Sequence, residues 1–299
     1  MTVARTGAGA VPPDARPSLP WLWMALAGAL LTASYLPTLQ ALVRDWMYDD
    51  NVSHGFLVPL VAGYVAWQKR DTLRSAAWRR NWLGLALIVY AAAQLYAATL
   101  GVELFLARTA LVLSVAGIVL FLGGFGVLRI LGFPVFLLFF MIPLPAVIYN
   151  QITFPLQLLA SEVAERALTV WGIPVLRQGN ILELPSQSLS VVEACSGIRS
   201  LLSLSFLSLV YGHFFESRTW VRAVLFFATA PIAVVANAGR VTLSGLLSEV
   251  DTELATGLYH FAEGWAVFMV ALVLLVLTHQ AIRLGLLPAT KEQAASGKP

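Results

Sequence analysis

The chain carries one cysteine, Cys195, in the stretch "VVEACSGIRS". A lone cysteine forms no disulfide within its own chain, so it is either a small apolar packing residue or a working thiol. A thiol works as the thiolate. That form is favoured at a helix N-terminus and beside a cation. Arg199 lies one helical turn beyond Cys195 on the same face, and Glu193 lies two residues before it. Gly197 would let a backbone or a substrate approach closely. Two further positions could complete such chemistry. Arg240 closes "NAGR", with Asn237 one turn before it and Gly239 beside it. A guanidinium fork can hold a carboxylate, a carbonyl or an oxyanion. His260 is followed at one turn by Glu263, which could orient the ring or raise its pKa. A cysteine with a histidine distant in sequence but near in space is the pattern of a thiol nucleophile and its proton carrier.

Each residue also has a plainer reading. Cys195 could simply pack, Arg240 could snorkel to headgroups, and His260 could be satisfied at an interface. The four histidines, at 54, 213, 260 and 279, do not cluster in sequence. HExxH, CxxC, a phosphate loop and GxSxG are all missing, so no metal, cofactor or serine elbow is expected. The formal net charge of +3 is too small to suggest nucleic acid binding.

Position must decide between the readings, and position depends on the elements. The chain is 59% hydrophobic and 12% charged, with a mean hydropathy of +0.78. Soluble domains average about 45–50% apolar and about 25% charged residues. This composition reads as an all-α, polytopic protein of the lipid bilayer. About 20 apolar residues make a spanning helix. Eight stretches are expected to cross: Trp21–Leu42, Phe56–Trp67, Trp82–Leu100, Leu104–Leu122, Leu128–Ile148, Ser196–Tyr211, Trp220–Ala236 and Leu258–Thr278. Between the fifth and sixth, residues Asn150–Val170 read as an amphipathic interfacial helix with Leu156, Leu159, Val163, Ala167 and Val170 on one face. After Pro174, Gly179-Asn180 sits between two short strand-like runs, and "SLSVV" alternates just before Cys195. One multi-span domain, 21–287, is expected between tails at 1–20 and 288–299, both read as disordered.

Loop charge predicts the orientation. Lys69, Arg70, Arg74, Arg79 and Arg80 follow the second stretch, Arg218 and Arg222 the sixth, and Arg283, Lys291 and Lys298 the eighth. The opposite loops, "RDWMYDDN" and "SEVDTE", are acidic. Basic loops stay in the cytoplasm. Both termini are then cytoplasmic, and Cys195, Arg240 and His260 lie at the outer face, each at the end of a late span. His54 is expected at the same depth.

At this point the residues resemble a family. "EACSGIRS", "NAGR", "YHFAEGW" and, near the amino terminus, "SHGFLVPL" are similar to the blocks of the exosortases, in the exosortase/archaeosortase superfamily. The resemblance implies an inner-membrane cysteine protease or transpeptidase of eight spans. Its substrates would be membrane-anchored proteins with a carboxy-terminal sorting signal of the PEP-CTERM type: a Pro-Glu-Pro-like motif, a hydrophobic helix and a basic tail. It would cut at the outer face and could pass the acyl group to a cell-surface polymer. It also implies a catalytic set, which maps onto Cys195, Arg240 and His260, with His54, Glu193, Arg199, Asn237 and Glu263 as supporting or substrate-binding candidates. The rival readings are a small-solute transporter and a non-catalytic component of exopolysaccharide assembly.

Overall fold

The computed structural model describes residues 21–191, 197–250 and 257–285. Its backbone divides into two compact units. One takes the described residues of Met1–Asp45 and Gly55–Ile142. The other takes those of Trp46–His54 and Pro143–Pro299.

In the first unit, α1 (Trp21–Ser34) and α2 (Leu36–Tyr48) meet at a bend of 71° beside Tyr35. Pro37 accounts for the break. It offers no N–H to the preceding turn and disfavours helical geometry at Leu36. The Tyr35 hydroxyl shares a 2.9 Å hydrogen bond with Ser114. A 3₁₀ turn (Asp50–Phe56), which belongs to the second unit as far as His54, leads to α3 (Leu57–Gln68), followed by α4 (Arg70–Ser75), α5 (Trp82–Leu100) and α6 (Leu104–Leu137), which continues as a 3₁₀ turn to Met141. Asn81 caps α5 by accepting from the Leu83 N–H, and Glu103 caps α6 by accepting from Phe105 and Leu106. α5 and α6 pack so closely that a Cβ on Gly84 would lie 2.2 Å from the Phe121 nitrogen. Buried Arg108 of α6 pairs with Asp45 of α2 at 2.6 Å.

The second unit holds α7 (Ala146–Val170) and a small antiparallel sheet, β1 (Leu176–Gln178), β2 (Ile181–Glu183) and β3 (Ser188–Ser190), ordered as in sequence. The Gly179-Asn180 hairpin forms as expected, with Gly179 at φ +68°, a conformation that favours glycine. Three long helices follow: α8 (Gly197–Phe215), α9 (Thr219–Val250) and α10 (Gly257–Gly285). Two apolar clusters organise the unit. Leu204, Val221, Leu225, Ala271 and Leu275 join α8, α9 and α10. Leu182, Leu184 and Val191 pack the sheet against Leu168 of α7 and Val241 of α9.

The protein is a multi-pass membrane protein. Four helical stretches are long and apolar enough to cross: Trp82–Leu100, Leu104–Met141, Thr219–Glu249 and Gly264–Gly285; the bent α1–α2 pair makes a fifth. Large apolar side chains such as Leu60, Tyr96, Phe227 and Trp265 stay exposed, as lipid contact requires. The described helices do not by themselves yield eight crossings, for identifiable reasons. The first expected stretch is broken at Tyr35. The second is a helix of 12 residues, about 18 Å against a core of about 30 Å. The fourth and fifth lie in one 38-residue stretch, about 57 Å long if straight. Gly124 interrupts that stretch at φ +72°, where a Cβ would lie 2.5 Å from the Arg79 carbonyl oxygen.

α7 covers the stretch expected to form an amphipathic helix, and its two faces differ in residue size. Its inward face is Thr153, Ala160, Ser161, Ala164 and Leu168, while Leu159, Val163 and Val170 point outward. Small residues let the helix lie close to its neighbours. The larger apolar stripe is left for lipid.

Candidate active site

Arg240 lies in the interior of α9, ten residues short of its end, not beyond the span as the apolar stretch ending at Ala236 suggested. α9 is 32 residues long and continues past the apolar stretch through "GRVTLSGLLSEV". Arg240 is 5% exposed and its Nε is shielded from solvent. Asn237, one turn earlier, is also buried. Burying a guanidinium in this setting is expensive without specific surroundings.

Those surroundings include α10. A Cβ built on Gly264 would lie 3.7 Å from Arg240 Nη2 and 3.9 Å from Cζ and Nη1. The guanidinium therefore rests on an α10 position that has no side chain of its own. His260 stands one turn before Gly264 on the same face of α10, and Glu263 is adjacent to Gly264 in sequence. Arg240 and the His260 turn are thus brought together.

The register of α8 against α9 brings in a third element. Gly212 of α8 lies against Arg222 of α9, and Ser205 bonds Thr229 at 3.1 Å. Seven residues up one helix match seven down the other, so the pair is antiparallel and evenly stepped. Continued past Thr229 to the start of α8, the same step would set Gly197, its first residue, level with Asn237. Arg199 lies in this first turn of α8. Cys195 and Glu193 fall outside the described residues.

His54 sits in the 3₁₀ turn, with both ring nitrogens shielded from solvent. Its ring lies 6.5 Å from that of Phe206. Phe206 is nine residues into α8 from Gly197, about 13 Å along its axis. His54 therefore engages α8 in its interior and not at its start. Gly239, expected to admit a close approach, faces open space among the described residues.

The opposite end of the same helices holds a cluster that the sequence did not advertise. Tyr211 of α8 bonds His279 Nδ1 of α10 at 2.8 Å, and His279 Nε2 lies 3.1 Å from a Glu216 carboxylate oxygen. The other oxygen of Glu216 accepts from the Arg218 N–H at 2.8 Å, and Arg222 Nε donates to the Glu216 carbonyl at 2.7 Å. The Arg218 N–H holds the Glu216 carboxyl below its ordinary pKa, against the effect of burial, and His279 adds to this. The only sequence signal was a glutamate in the short turn after a basic-ended helix, with a histidine near the end of the last apolar stretch. Nothing in their spacing pairs them.

A family model described as transmembrane exosortase matches residues 46–277. The chain belongs to the transmembrane exosortase family. The match covers the 3₁₀ turn with His54, all of α7, α8 and α9, and most of α10. No curated protein and no solved structure matches this exosortase. Among its described residues, no group of three or more His, Cys, Asp or Glu side chains is placed to hold a metal.

Proposed function

We propose that this exosortase is a cysteine-dependent transpeptidase that cleaves carboxy-terminal sorting signals at the outer face of an inner membrane, which the chain crosses eight times with both termini in the cytoplasm. One observation carries the reading. Buried Arg240 is pressed against Gly264, one turn from His260, at the level where α8 begins two residues after Cys195. A guanidinium so fixed suits charge that develops on a substrate oxygen. The start of a 19-residue helix suits a thiolate.

The chemistry runs in two halves. His260 takes the Cys195 proton, and the thiolate attacks the scissile carbonyl carbon. A carbon–sulfur bond forms and the negative charge moves to the carbonyl oxygen, which Arg240 holds. The carbon–nitrogen bond then breaks, and the leaving amine takes its proton from the His260 imidazolium. The thioester that remains is opened by water or by a nucleophile of a cell-surface acceptor. That nucleophile gives its proton to His260, and the thiolate leaves. Asn237 and Glu263 would orient Arg240 and His260. Arg199 and Glu193 flank the thiol, and His54 would support α8 from the side.

The test is co-expression of a membrane-anchored protein bearing a sorting signal with wild type, Cys195→Ala, Arg240→Ala or His260→Ala. Release of the processed fragment by wild type alone is expected. Undiminished release by Cys195→Ala would end the assignment of the nucleophile. A second reading, transport of a small solute, is favoured by the interrupted helices at Tyr35 and Gly124. It predicts solute uptake that survives Cys195→Ala.

A further inference from the structure

Among the described residues, the sheet before Cys195 is guarded on one side only. Its hydrogen-bond phase is fixed at two points. The Val191 N–H donates to the Asn180 carbonyl at 2.9 Å, and the Leu184 N–H donates to the Gln187 carbonyl at 2.9 Å. In an antiparallel pair, residues that bond the neighbour alternate with residues whose N–H and C=O both point the other way. Gln187, Leu189 and Val191 therefore face β2. Ser188 and Ser190 direct their backbone groups outward, away from the sheet. No fourth strand lies there among the described residues.

The two edges are built differently. On β1 the outward residue is Arg177, and its side chain is tied to Glu165 of α7 at 2.6 Å. The Ser161 hydroxyl also donates to the Gly179 carbonyl at 3.2 Å, so the hairpin is fastened along α7. Exposed edges are normally blunted by lysine, proline, a bulge or a covering element. β3 carries none of the first three. Leu189 and Val191 turn inward onto the cluster containing Val241. The alternate side chains, Ser188 and Ser190, are small. The strand is also held firmly: the Ser186 N–H donates to Glu249 at 3.1 Å, and its hydroxyl lies 3.3 Å from that of Ser248, both on α9.

We propose that β3 is the substrate-docking edge: an extended segment of the sorting signal adds to Ser188–Ser190 as a fourth strand and is led by it to Cys195. This rests on the function proposed above. The occupant follows from chain distance, because only five residues separate Ser190 from Cys195 in the sequence. Five extended residues span at most about 18 Å, so the paired stretch lies within about five residues of the scissile bond. Main-chain pairing supplies affinity without reading side chains. It also sets a rule for the substrate. Proline has no N–H, so it fits only at alternate positions that face away from β3. A Pro-Glu-Pro-like motif meets that rule, since its central residue keeps both backbone groups for the edge.

The experiment uses the full chain in nanodiscs with a membrane-anchored substrate. Ser190→Pro deletes one outward N–H and leaves the ladder to β2 intact. The expected result is a loss of at least tenfold in kcat/KM, with an unchanged melting temperature and unchanged alkylation of Cys195 by a small maleimide. Independently, a proline scan along the substrate should impair cleavage at every second position. This second arm decides the matter if Ser190→Pro fails to fold. Processing by Ser190→Pro within twofold of wild type, or a scan without the two-residue period, overturns the proposal. So does a change from dimer to monomer in Ser190→Pro, which would give the edge to a second copy of the chain. Lack of any Cys195-dependent processing by wild type would instead sink the underlying function.

Discussion

The two ends of the α8–α10 bundle use the same helices and similar residue types for opposite purposes. At the Glu216 end, a tyrosine of α8, a glutamate of the turn after it and a histidine of α10 satisfy one another, and the backbone of the turn closes around them. At the Arg240 end, a buried guanidinium lies against a helix position that has no side chain. A cluster whose polar atoms consume one another can fasten helices, but it has little left to offer a substrate. A guanidinium seated against a helix position without a side chain is held in place by the packing of α9 on α10. The first end is a clasp, and the second is where the proposed site lies.

The comparison can be broken most sharply at Arg240. Arg240→Lys keeps the charge but loses the planar fork. We expect processing to fall by about 10²–10³, the cost of one oxyanion donor, with little change in melting temperature. Activity within threefold of wild type would show that only the charge matters there. Next is Gly264. A Cβ at 3.7 Å is in ordinary contact, so Gly264→Ala should fold and retain most activity. Gly264→Leu should push the guanidinium aside and cost up to about a hundredfold, as a misplacement of about 1 Å can. Equal activity of the two variants would remove Gly264 from the site.

The Glu216 end should answer in stability and not in turnover. His279→Ala leaves buried Glu216 and Tyr211 each short of a partner. We expect a loss of about 2–3 kcal/mol in a denaturation assay with unchanged kcat per folded molecule. Glu216 also makes the response to acid predictable. Its carboxyl is depressed in the fold, so its contribution is complete above the pKa of the unfolded chain. That contribution fades as pH falls through the lower, folded value. Melting temperature should therefore drop in acid for wild type, and the drop should shrink in Glu216→Gln. The smallest effect is expected at His54. His54→Ala removes one tilted ring contact with Phe206, worth about 0.5–1.5 kcal/mol, and should lower processing by less than tenfold. A larger catalytic loss at intact stability would move His54 from α8 support into the site.

Much of this was legible without coordinates. α5 matches its apolar stretch residue for residue because composition alone defines a lipid-facing helix. The Gly179-Asn180 hairpin was readable because glycine tolerates the positive φ that a two-residue turn needs. Other features were not. The bend at Tyr35 hid inside a long apolar run, where Pro37 was one apolar-looking residue among many. α9 runs past Ala236 because helix formation does not require hydrophobicity, so hydropathy alone cut it short before Arg240. The face of α7 that packs on protein was not given by its apolar stripe, because in lipid the larger apolar side chains can face outward while small ones make the helix contact.

The sequence by itself determined that this chain lives in a bilayer, that its late part carries a cysteine, an arginine and a histidine in that order, and that a short hairpin precedes the thiol. These follow from composition, periodicity and turn chemistry, which are local properties. Only the tertiary structure decided that Arg240 is buried within its helix and rests on Gly264, that Tyr211, His279 and Glu216 close the other end, and that β3 turns the backbone groups of Ser188 and Ser190 away from β2. Each of those depends on which residues of distant segments come level when helices and strands pack. Register between elements is set by the fit of their surfaces, which no local stretch of sequence encodes.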